Sequence, residues 1–113
     1  MIKQLASFLV LYTSDLQKTI NFYEKFGIEI KEQDDRKCVF HLGTTEIHFN
    51  TREDIPEYKY VTQGKYGIGT LMYVEVENVL AAHTIVKCIG GIIKAEIEER
   101  PWGTKEFLFQ DPN

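Results

Sequence analysis

The sequence predicts an α+β fold made of two related units, and three observations carry that prediction. Short apolar stretches rich in β-branched and aromatic residues alternate with stretches of helical period. Each helical stretch opens on a Ser or Asx cap and closes on glycine. The order of features in the first half recurs in the second, with Asp15 falling on Asn78, an offset of 63 positions.

The first unit reads β-α-β-β-β. Residues 8–12 (Phe-Leu-Val-Leu-Tyr) are continuously apolar and predict a strand buried on both faces. Ser14 with Gln17 fits a capping box. Leu16, Ile20, Tyr23 and Phe26 then form one apolar helical stripe, and Gly27 stops it. Residues 28–31 alternate as a second strand, and Asp34-Asp35 is a turn. Residues 38–42 and 46–49 predict a hairpin closed at Gly43-Thr44-Thr45.

Residues 51–67 are polar, hold Pro56, Gly64 and Gly67, and include Tyr58, Tyr60 and Tyr66, which predicts a connector or flap. A strand is expected over 69–76. Asn78 caps a helix bearing Val79, Ala82, His83, Val86 and Ile89, which Gly90-Gly91 ends. Strands over 92–97 and 104–109 flank Arg100-Pro101-Trp102-Gly103. The expected organisation is one domain over 1–113, with module one at about 1–50, the connector at 51–67 and module two at 68–113. The second unit reaches Asp111-Pro112-Asn113 without a last strand, which is expected either to follow beyond Asn113 or to be replaced in another way, such as a strand from a partner subunit.

Of 113 residues, 13 are Lys or Arg and 17 Asp or Glu, a net charge of −4. That mild acidity argues against nucleic acid as a partner and favours neutral or cationic ligands. No apolar run approaches the roughly 20 residues of a membrane span, and the first residues lack the apolar core of a secretory signal. Cys38 and Cys88 have no CxxC spacing and read as reduced thiols of a cytoplasmic chain. His41 shows no partner, and His83 sits in the helical stripe. The histidines have no zinc-site spacing, and Glu96, Glu98 and Glu99 read as a solvated face.

Tyr12-Thr-Ser-Asp15-Leu-Gln-Lys-Thr-Ile-Asn-Phe22-Tyr23-Glu-Lys-Phe-Gly27 resembles the opening of the vicinal oxygen chelate superfamily, which includes glyoxalase I, extradiol dioxygenases and bleomycin resistance proteins. Arg100-Pro101-Trp102-Gly103, Glu106-Phe107 and Asp111-Pro112-Asn113 resemble the late segment of its bleomycin-resistance-type members. The resemblance spans residues 8–113. It implies paired βαβββ modules curled into an open sheet around a shared cleft, and a homodimer. In metal-dependent relatives, ligands stand on the first and last strands of each module. Here those positions fall on Phe8, Leu71 and His48, with the fourth beyond Asn113. Phe8 and Leu71 have no donor atom, so no metal and no cofactor is expected.

The expectation is therefore a metal-independent protein that sequesters an aromatic or cationic small molecule. The resemblance places Phe8 and His48 at the cleft and Trp102 at its rim; with Phe8 facing the cleft, period two adds Val10 and Tyr12, and the matching strand of the second module adds Tyr73 and Glu75. Two other readings stand beside it: a metal-dependent lyase or dioxygenase of the glyoxalase type, and a structural or regulatory dimer without a ligand.

Overall fold

The computed structural model describes residues 2–51 and 70–113. The described elements are β1 (Leu9–Tyr12), α1 (Leu16–Lys25), β2 (Ile30–Gln33), β3 (Lys37–Leu42), β4 (Thr45–Asn50), α2 (Val79–Cys88), β5 (Ile92–Glu99) and β6 (Lys105–Gln110). This is the expected α+β composition. The connector placed at 51–67, with its three tyrosines, lies outside the described residues apart from Thr51.

β1 to β4 form one sheet in the order β1-β4-β3-β2, with β1 parallel to β4 and the other pairs antiparallel. The register aligns Val10, His48 and Val39 on one face, and Ile47 with Phe40 on the other. α1 covers the second face. Ile20, Phe22 and Tyr23 from the helix pack on Cys38, Phe40, Ile47 and Phe49 from the sheet. Each large apolar side chain buried in this way contributes about 1.5–3 kcal/mol.

Both helices start and stop for local chemical reasons. The first cap is Asp15, whose carboxylate accepts from the Lys18 N–H at 3.0 Å, and not the Ser14–Gln17 box. Asp15 has the extended backbone a cap requires, which sets its carboxylate on the free amide of Lys18. Asn78 caps α2 as expected, accepting from the Ala81 N–H. Gly27 (φ 99°) and Gly90 (φ 86°) take the left-handed conformation that ends each helix.

The second unit differs from expectation in one element. Residues 70–76 form no strand, and residue 69 lies outside the described residues. β1 holds its place through the β4 ladder, whereas among the described residues β5 and β6 pair only with each other. No described strand of the second unit offers 70–76 a ladder, so Leu71 and Tyr73 remain about two-thirds exposed or more. The strand over 8–12 is also not buried on both faces: Phe8 precedes the ladder, and Leu9 and Val10 are exposed because β1 is a sheet edge.

The two units lock through α1 and the end of β6. Phe109 packs on Phe22 and Phe26, with ring centroids about 6 Å apart. Asn113 Nδ2 donates to Thr19 Oγ1 at 3.2 Å, and Thr19 shares a 2.9 Å hydrogen bond with Thr13. With this second contact α1 buries Thr19 and Phe22 beside Ile20 and Tyr23 of the expected stripe, while Leu16 and Phe26 are half-buried.

Candidate functional site

A cavity of about 1180 Å³ opens between edge strand β1, residues 70–76 and β6. Hydrocarbon from Leu9, Leu11, Met72, Val74 and Phe109 forms most of its wall. Tyr12, Tyr73 and Glu75 also line it, so the structure brings three of the six expected site residues to one cavity. Tyr12 is buried and Tyr73 stands exposed at the opening.

Phe8 and His48 meet elsewhere. Their rings stack with centroids 4.1 Å apart and an interplanar angle of 14°. His48 lies in mid-strand, flanked by Val10 and Val39. Its Nε2 is 2.9 Å from Glu46 Oε2. His41, which showed no partner in the sequence, faces the same carboxylate across the hairpin at 3.9 Å. Trp102 joins neither group. It stands on the turn between β5 and β6 with its side chain about two-thirds exposed, outside the cavity wall.

Two polar pairs at the cavity escaped sequence reasoning. Arg100 Nε donates to Glu106 Oε1 at 3.0 Å, and Nη1 reaches Glu98 Oε2 at 3.4 Å. The hairpin register, which sets Glu98 opposite Glu106, creates this pairing, and an arginine two residues past Glu98 was the available signal. Glu98 is thus an ion-pair partner as well as a solvated residue, and Glu96 meets His83 Nε2 at 2.8 Å. The other pair is Tyr23 and Asp111, whose oxygens are 2.5 Å apart. Burial, and then the adjacent carboxylate, hold the Tyr23 phenol well above its ordinary pKa.

The electrostatics of the cavity follow from these pairs. Glu75, Glu106 and Asp111 border it against Arg100 and Lys105. Glu106 is taken up by Arg100 and Thr104, and Asp111 by Tyr23 and the Asn113 N–H. Glu75 has no hydrogen-bond or ion-pair partner among the described residues. It is therefore the carboxylate available to an incoming group.

The residues at the family's ligand positions do not fit a metal. Phe8 and Leu71 have no lone pair to donate, and His48 is engaged by Glu46. Among the described residues, no three His, Cys, Asp or Glu side chains converge to hold an ion. A smaller hollow of about 420 Å³ at the start of α2 contains none of the expected site residues.

The architecture is shared with several solved structures. A glyoxalase/bleomycin resistance protein/dioxygenase family enzyme from Burkholderia phytofirmans PsJN superposes with a TM-score of 0.78 at 21% identity, covering 94% of this chain and 89% of the other. A bleomycin-binding protein complexed with bleomycin gives 0.60 at 16% identity, covering 96% and 91%. Lactoylglutathione lyase from Agrobacterium tumefaciens gives 0.60 at 16% identity, covering 95% and 86%. No curated protein matches the chain. The family model for the glyoxalase/bleomycin resistance protein/dioxygenase superfamily matches residues 4–113, and the chain belongs to that superfamily.

Proposed function

We propose that this protein binds and sequesters a small aromatic or cationic compound in the cavity between its two units, without a metal ion. The observation that carries this reading is Glu75, a carboxylate with no partner among the described residues, on an otherwise largely hydrocarbon wall beside Tyr12 and Tyr73. A cationic group gains charge pairing at Glu75 and stacking on Tyr73, while the apolar remainder of the ligand leaves water. The complex of a structurally similar protein with bleomycin supports this ligand class and a role in antibiotic resistance. Absence of donors at Phe8 and Leu71 supports metal independence.

The protein acts as a cytoplasmic homodimer in this reading. Among the described residues β1 pairs with β4 alone, and such an edge favours a partner copy, because soluble proteins cover edges of this kind. Two free cysteines suit a reducing compartment. Calorimetry with bleomycin and a series of flat aromatic cations tests the ligand claim. Micromolar binding that weakens about tenfold in Glu75→Gln is expected. No heat from any compound would sink the reading, and stoichiometric nickel, zinc, iron or manganese in the purified protein would replace it with metal-dependent chemistry.

A further inference from the structure

We propose that Phe8 is a displaceable cover over a stacking platform formed by the His48 imidazole, and that a flat aromatic cation takes the place of the Phe8 ring. This rests on the ligand class proposed above and places a second binding surface outside the cavity, which neither Phe8 nor His48 lines.

The spacing of the two rings is the first reason. At 4.1 Å between centroids and 14° between planes, they are in face-to-face contact. Aromatic carbons in contact sit about 3.5–4 Å apart, so a flat group inserted between two rings needs roughly twice the spacing found here. Phe8 and His48 therefore do not form an open jaw. A ligand reaches the face of His48 only when Phe8 leaves it.

The second reason is how differently the two rings are held. His48 has β-ladder neighbours on both sides, its side chain is 19% exposed, and Nε2 is fixed on Glu46. Phe8 precedes the β1 ladder, which begins at Leu9, and is 55% exposed. Residues 2–7 before it are exposed and make no hydrogen bond or ion pair among the described residues. Moving Phe8 thus costs little beyond the stack itself, and one aromatic stack changes an equilibrium by about two- to tenfold. The platform is rigid and its cover is loose.

The third reason is charge. The Glu46 carboxylate lies against the platform and is 37% exposed. It favours an aromatic cation over the neutral phenyl ring that now covers His48.

The test uses the full chain and thioflavin T, a flat aromatic cation, as probe. Phe8→Ala is expected to bind the probe about three- to tenfold more tightly than the parent, and Phe8→Leu by a smaller factor. In the parent, adding probe shifts the His48 ring protons and returns the Phe8 ring resonances toward free values. Equal or weaker binding by Phe8→Ala overturns the proposal. If Phe8→Ala does not fold, Phe8→Leu and the His48 shifts decide. Binding that weakens in Glu75→Gln but ignores Phe8→Ala and His48 leaves the cavity reading standing and removes this one. No binding of thioflavin T by the parent or any Phe8 variant removes this proposal, while the calorimetric series decides the cavity reading.

Discussion

Tyr23 donates its phenol hydrogen to Asp111 across 2.5 Å, joining residues 88 positions apart. One belongs to the first helix and the other follows the last described strand. The bond lies between the two units and borders the cavity. It therefore sets the relation of β6 to α1, and with it the shape of the cavity's inner wall.

Tyr23→Phe removes the donor and keeps the ring that packs on Phe40 and Phe49. Among the described residues, Asp111 then has only the Asn113 amide. Hydrogen bonds to charged groups contribute about 1.5–3 kcal/mol, and a loss of that size is expected in the unfolding free energy. Urea denaturation with an unchanged slope and a lowered midpoint checks it.

Alkaline pH should weaken the fold through the same core. Burial pushes the Cys38 thiol from 9.0 up to about 11, and Tyr23 lies above its ordinary 10.0. Both groups hold their protons more tightly when folded. The unfolded chain releases them first, so stability falls as pH rises. The Cys38 contribution is complete below pH 9 and lost between 9 and about 11. Tyr23 adds a decline starting near 10. Urea midpoints measured from pH 8 to 11 should show this slope, and Cys38→Ala should flatten its lower part.

Local chemistry in the sequence accounts for much of this structure. The Asn78 cap, the glycine stops and the tight hairpin at Gly43 were legible because each depends on residues within a few positions. The strand expected over 69–76 was not, because a strand exists only with a partner, and pairing is a property of the whole sheet. For the same reason, period two related Phe8 to Val10 along one strand but gave no sign that Phe8 lies directly on His48 of another. Nothing near Tyr23 in the chain announces Asp111.

Trp102 and Tyr73 now separate as ligand contacts. Both are exposed aromatics, but only Tyr73 lines the cavity. Tyr73→Ala is expected to weaken binding of a cationic aromatic ligand by about tenfold, in line with loss of one stacking contact. Trp102→Ala should change affinity less than Tyr73→Ala and shift stability by no more than about 0.5 kcal/mol. Titration calorimetry and thermal melts on the two variants check this. A larger affinity loss in Trp102→Ala would place the turn between β5 and β6 over the bound ligand.

Among the described glycines of the second unit, only Gly91 has no room for a side chain. A methyl group there would stand 2.5 Å from Val86 Cγ1, 3.1 Å from the Val86 carbonyl oxygen and 3.4 Å from Phe22 Cε2. Val86 is fully buried and β-branched, so its methyl cannot rotate away without meeting other atoms. Phe22 belongs to the other unit, so relief in that direction disturbs α1. Gly91→Ala should destabilise the protein by about 1–3 kcal/mol, the usual range for overpacking. Adding Val86→Ala removes the closest atom. The double variant should then be more stable than the sum of the two single losses, because the cavity left at residue 86 receives the new methyl. Urea unfolding of the three variants reads the coupling directly, and strictly additive losses would mean that the backbone at Gly91 moves aside instead.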